Sequence, residues 1–233
     1  FSAPNLGLHV GVVNPKVTLH HVLDGRASPE KAVYETKYGF HLLPGALLYK
    51  HVAPYKLKYH IQRLRDYYDF ILIDSSPSLN QEILATMMAS DELFVVTTPD
   101  HVTLGATLHA VRVAKEKNTP ISGLILNKVY DKKFELSVDD IEKAAECKVL
   151  AVLPHDINIL EALSETVPSS VHSAESDATM EYRKLAAALI GKEYRDTRWA
   201  TRLKNFFGLS IAPQDINRAL FKEERSKPAE KKE

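Results

Sequence analysis

Four short stretches set polar groups directly after apolar runs, which is how a chain presents chemistry at the end of a strand. Asp74 follows Phe70-Ile71-Leu72-Ile73 and precedes Ser75-Ser76-Pro77. A carboxylate closing a buried strand is costly unless a cation or several donors hold it. The alternative is a turn-forming aspartate, a common residue at such positions. Asn127-Lys128 follows Leu124-Ile125-Leu126, and Pro154-His155-Asp156 follows Val149-Leu150-Ala151-Val152-Leu153. Thr97-Thr98-Pro99-Asp100 follows Leu93-Phe94-Val95-Val96. Asn127-Lys128 also reads as a plain strand-end turn, and Asp156 as the cap of a following helix. A pocket built of such turns allows both readings at once.

These groups need elements to position them. The four runs are apolar on both faces, as buried parallel strands are. Between them lie helical stretches at about 80–90, 103–117 and 137–147, the last opened by Ser137-Val138-Asp139-Asp140, a cap with acids in its first turn. Residues 55–67 carry Leu57, Ile61 and Leu64 at helical spacing, and 174–191 form an Ala-rich helix closed by Gly191. Phe40-His41-Leu42-Leu43 ends in a Pro44-Gly45 turn. Strand and helix in alternation predict an α/β fold, a largely parallel twisted sheet with helices on both faces. Ligands of such sheets bind beyond the carboxyl ends of the strands.

Composition narrows the partners. The chain has 233 residues, enough for one α/β domain and an appendage. Thirty basic residues balance thirty acidic ones, so any nucleic-acid or membrane contact must use a local patch. The single cysteine, Cys147, excludes an internal disulfide and fits a reducing, cytoplasmic setting. No apolar run approaches the roughly 20 residues that span a bilayer.

In P-loop NTPases an acid in the place of Asp74 holds Mg²⁺ between the β- and γ-phosphates. Its companion is a Gly-rich loop ending in Gly-Lys-Ser/Thr. The nearest approach, Gly191-Lys192-Glu193, closes a helix and lacks the hydroxyl. Either the nucleotide reading fails or that loop lies upstream of Phe1, where the sequence opens without methionine.

The stretch Asp69-Phe70-Ile71-Leu72-Ile73-Asp74-Ser75-Ser76-Pro77-Ser78-Leu79 resembles the switch II segment of the MinD/ParA family, deviant Walker-motif P-loop ATPases that dimerise on ATP. The resemblance continues through Ala89-Ser90-Asp91-Glu92 into the run at 93–100, at 124–128 and at 152–156. It runs backward through Asn5-Leu6-Gly7-Leu8-His9 and the segment 17–25, which look like the region after switch I. It covers roughly residues 1–190 in collinear order and implies ATP/ADP and Mg²⁺ as cofactors. By the same resemblance Asp74 would hold Mg²⁺ through a water and serve catalysis. Ser75, Ser76, Pro77 and Ser78 would form the switch II turn, with Asn5 beside switch I. Asn127 would contact adenine, with Pro154 and Asp156 bordering the base. The phosphate loop and the switch I aspartate are then expected upstream of Phe1, and the chain as given is expected to be inactive. Iron–sulfur relatives are disfavoured, because Cys147 sits late in a helix as a small buried residue.

Beyond about residue 192 the composition changes. Thr197-Arg198-Trp199-Ala200-Thr201-Arg202-Leu203-Lys204-Asn205-Phe206-Phe207-Gly208 reads as a helix with Trp199, Leu203, Phe206 and Phe207 within an arc of roughly 120° and Arg202 and Lys204 among the residues outside it. Bulky aromatics opposite a basic face describe a helix lying in a membrane interface; packing on its own domain or on a partner is the alternative. The expected organisation is a nucleotide-binding domain at 1–191, this helix and a linker at 192–212, and a short helix with a charged disordered tail at 213–233. The expected function is a MinD-like switch at the membrane surface, cytoplasmic and peripheral, an ATP-dependent homodimer acting with an unknown activator or cargo protein. A ParA-like ATPase that partitions DNA is less favoured, since non-specific duplex binding needs no aromatic face. A non-enzymatic scaffold follows if the chain truly starts at Phe1.

Overall fold

The computed structural model describes residues 5–46, 53–75, 80–192 and 194. They divide into two compact units. Of the described residues, the first unit holds those up to 93 with 114–120 and 161–168, and the second holds 94–113, 121–160, 169–192 and 194.

The first unit is made of short elements. Helices α1 (Leu6–His9) and α2 (Leu19–Leu23) precede a two-residue hairpin of β1 (Tyr34–Glu35) and β2 (His41–Leu42), paired antiparallel. The Tyr34 hydroxyl donates to Val17 O at 3.0 Å and accepts Val17 N at 2.9 Å, fixing the hairpin to the chain ahead of α2. The predicted 55–67 helix is present in segments: a 3-10 turn Pro54–Lys56, α3 (Leu57–Gln62) and a second 3-10 turn Arg65–Tyr67. Leu57 and Leu64 face inward, as their spacing requires. Helix α4 (Gln81–Ala89) starts where the Asn80 side chain accepts the amides of Glu82 and Ile83.

The expected buried strand at residues 70–73 is not formed. Phe70 is 59% and Leu72 83% exposed, and among the described residues no strand pairs with this segment. Ile71 and Ile73 are half-buried, and Asp74, itself exposed, does not close a buried strand. An apolar run shows that a segment could be covered; burial also needs a hydrogen-bonded neighbour and layers on both faces.

The second unit carries the sheet. Strand β3 (Leu93–Thr97) leads to α5 (His101–Glu116), β4 (Ile121–Val129), α6 (Val138–Ala145) and β5 (Val149–Pro154). Then come α7 (Ile157–Ser164), α8 (Ser169–His172) and α9 (Asp177–Leu189). The sheet is parallel in the order β3-β4-β5. On one face Leu124, Leu126, Val149 and Val152 pack with Val111 of α5 and with Ile141 and Ala145 of α6. On the other, Ile125, Ala151 and Leu153 pack with Leu185 of α9. Both faces are thus covered, as continuous apolar strands require, and each fully buried leucine contributes about 1.5–3 kcal/mol. Cys147 lies just past α6, partly buried against the first cluster.

Gly123 lets β4 and β5 approach. Its φ is +152°, and a Cβ there would lie 2.4 Å from Leu150 Cγ and 2.7 Å from Lys148 O. Gly123→Ala should lower stability by about 1–3 kcal/mol, read as a drop in the thermal unfolding midpoint; an unchanged midpoint would show that β5 can move aside.

Candidate functional site

The carboxyl ends of β4 and β5 lie side by side because the two strands run parallel. Leu126 pairs with Val152 and Val129 with Pro154, so three steps along β4 answer two along β5. The extra residue falls at Asn127-Lys128, a β-bulge, with Lys128 in the left-handed region at φ +55°. Asn127 was expected just past the strand; it sits instead at an irregularity inside β4. A bulge turns its side chain out of the regular alternation. Asn127 Oδ1 accepts the Lys128 amide at 2.9 Å, which leaves the two Nδ2 hydrogens as donors on a half-buried side chain.

His155 N donates to Val129 O at 2.8 Å and carries the pairing one residue beyond β5. Its ring stacks on Tyr130 with centroids 4.5 Å apart and planes 25° from parallel. Tyr130 opens a loop held by one acid: Glu135 accepts the amides of Tyr130 at 2.9 Å and Lys132 at 3.0 Å. Phe134 flanks the Tyr130 ring at 6.4 Å. The sequence singled out neither ring.

Asp156 is occupied structurally. Its Oδ1 accepts Asn158 N at 2.9 Å and Asn158 Nδ2 at 2.7 Å, capping α7, and its Oδ2 accepts Ala178 N at 3.4 Å in the first turn of α9. Burial alone would raise this carboxyl; hydrogen bonds from the Asn158 backbone and side chain, Ser176 and Ala178 outweigh it and hold it below the usual value. The capping role read from the sequence is the one its geometry serves, and through it Asp156 fixes the loop that carries Pro154.

The third strand end is closed upon itself. Asp100 caps α5: its Oδ1 accepts Thr103 N at 2.8 Å, and its Oδ2 accepts the hydroxyls of Thr103 at 2.7 Å and of Thr98. The Thr107 hydroxyl donates to Thr97 Oγ1 at 2.6 Å beneath it. With these donors engaged, the cluster builds a helix start and not a ligand site.

The remaining expected residues are placed less tightly. Asn5, Asp74 and Ser75 belong to the first unit and are exposed. Ser76, Pro77 and Ser78 of the expected switch II turn lie outside the described residues, as do Trp199, Arg202, Leu203, Lys204, Phe206 and Phe207 of the expected membrane helix. Among the described residues no group of three or more His, Cys, Asp or Glu side chains is placed to hold a metal directly.

Comparison with known proteins bears on what this arrangement serves. The family described as an AAA domain matches residues 12–123. An uncharacterized ATP-binding protein of Methanocaldococcus jannaschii is 30% identical over 193 residues, 82% of this chain and 73% of that one. The cell division ATPase MinD of Pyrococcus furiosus superposes with a TM-score of 0.74 at 34% identity, covering 79% of this chain and 80% of that chain. The chain belongs to the MinD/ParA family of P-loop ATPases. The MinD of Pyrococcus horikoshii, solved with Mg-ADP, matches at a TM-score of 0.75 and 32% identity, over 81% of this chain and 79% of that chain. In this MinD/ParA chain the alternation of parallel strands and helices read from the sequence is present in β3, β4 and β5.

The Asp100 cap predicts an acid response. Hydrogen bonds from the Thr98 hydroxyl, then from the backbone and hydroxyl of Thr103, lower its carboxyl from 3.8 to about 2. A depressed folded value means the stabilisation is fully present above 3.8 and is lost as pH falls through about 2. Asp100→Asn should remove this part of the acid dependence, seen as a flatter plot of urea midpoint against pH across that window. Superimposable slopes for the two proteins would count against it.

Proposed function

We propose that the protein is a MinD-like ATPase in which nucleotide binding controls self-association and residence at a membrane surface, so that it positions other proteins. The observation that carries this reading is the bulged end of β4 beside the end of β5: Asn127, with a half-buried amide edge, lies at the bulge, and Pro154 pairs with Val129 two residues further along β4. The likeness to the Pyrococcus MinD proteins, one a cell division ATPase and the other bound to Mg-ADP, supports it.

The residues present suit a nucleotide in two places. The free Nδ2 hydrogens of Asn127 match the ring-nitrogen acceptors of adenine, and Pro154 offers a flat apolar surface to the base. Asp74 is a lone exposed carboxylate, which fits contact with a hydrated Mg²⁺ through water and not direct coordination. When bound, MgATP supplies the phosphoryl bond whose hydrolysis resets the switch. The residues of this chain orient the base at 127 and 154 and offer charge to the hydrated cation at 74. Hydrolysis serves switching.

Membrane residence would come from residues 197–208. Four large apolar side chains, each gaining about 1 kcal/mol on partial burial, give roughly 4 kcal/mol, near millimolar affinity and too weak to hold a monomer. Basic residues near anionic lipid add about 1 kcal/mol each, less the cost of ordering the helix. Two anchors on an ATP-dependent homodimer multiply the effect through effective concentration. An activator or cargo protein completes the cycle.

Equilibrium binding of Mg-ADP to the full-length protein tests the site. Asn127→Ala should weaken it roughly tenfold, and Asp74→Ala should weaken Mg-ADP but not Mg-free ADP; wild-type affinity in both variants would remove these residues from the site. Sedimentation with anionic liposomes tests the switch. ATP should increase binding, and Trp199→Glu should abolish it without lowering the thermal midpoint. Equal sedimentation with and without ATP, or ATP-dependent retention on DNA instead, would overturn the membrane reading.

A further inference from the structure

Asn127 and Pro154 lie in the last residues of β4 and β5, and they can act on one base only if those two strand ends keep a fixed spacing. The backbone supplies one bond for this beyond the strands, from His155 N to Val129 O at 2.8 Å. The chain on either side of that bond in β4 is irregular: Lys128 at the bulge before it and Asp131 after it both hold left-handed φ angles, +55° and +56°. What joins the two strand ends beyond that bond is side-chain contact, the Tyr130 and His155 rings at 4.5 Å and 25°. Tyr130 cannot swing with a loose loop, because Glu135 clamps its amide and that of Lys132, and Leu136 N donates to Pro99 O at 2.9 Å on the far side.

We propose that Tyr130 and His155 are positioning residues of the base subsite: their rings, stacked one residue past each strand, hold the ends of β4 and β5 at the spacing in which the Asn127 amide and the Pro154 ring address the same base. This inference rests on the nucleotide reading above and deepens it. The stack acts through Asn127 and Pro154 and makes no contact with the phosphates. It therefore sets how much a base adds to affinity and leaves the phosphate contribution untouched. Only the ring faces matter, so any flat aromatic side chain serves at either position.

The test compares Mg-ADP with magnesium pyrophosphate, which lacks the base, by calorimetry on the full-length protein. Tyr130→Leu and His155→Ala should each weaken Mg-ADP by about two- to tenfold, the span expected from an aromatic pair, with pyrophosphate affinity unchanged. Tyr130→Phe and His155→Phe should bind both ligands as the wild type does. Unchanged Mg-ADP affinity in the leucine and alanine variants overturns the proposal. So does equal weakening of both ligands, which would make the stack a support of the whole unit. If wild-type protein binds Mg-ADP no better than pyrophosphate, the base subsite itself is wrong and this inference falls with it; the wild-type measurement separates that failure from the other two.

Discussion

The parallel pairing of β4 with β5, offset by one residue at Asn127-Lys128, is the constraint on which the candidate site depends. Parallel strands send both carboxyl ends to one edge, and buried side chains on both faces hold them there. Leu124 and Leu126 lock one face against α5 and α6, and Ile125 locks the other against α9. The register shifts twice: between Leu124 and Ile125 one step along β4 answers two along β5, and between Leu126 and Val129 three answer two, where Lys128 takes a positive φ. Core packing and site geometry are thus one fact seen at two ends of the same strand.

The strand ends divide by whether their polar groups are already satisfied. After β3, Asp100 is engaged by Thr98 and Thr103 and starts α5. After β5, Asp156 is engaged by Asn158 and the first turn of α9. After β4, Asn127 keeps half of its amide for something else. Residue type alone would favour the acids as the functional groups, whereas the hydrogen-bond pattern favours the amide.

Much of this was legible in the sequence, and the exceptions share a cause. Strands β3, β4 and β5 and helices α4, α5, α6 and α9 lie where the continuous apolar runs and the helical stretches around them put them, because each has a long apolar surface to bury. Residues 70–73 carry the same composition and form no strand, since a pattern reports what a segment could bury and not whether a neighbour is there. The β1–β2 hairpin went unread because two-residue strands leave no period. The bulge went unread because Lys128 is neither Gly nor Asn, so nothing local announces its positive φ. The Tyr130–His155 stack joins residues far apart in the chain and becomes visible only once the strands are in register.

Asp156 carries a further consequence for anyone mapping this edge of the protein. One carboxylate pins the starts of two helices, so altering it would loosen α7, α9 and the turn bearing Pro154 together. Lost affinity in such a variant would be a confounded readout, unable to separate a missing contact from a displaced wall. Asn127 is the cleaner reporter, since its amide hydrogens hold no part of the scaffold in place.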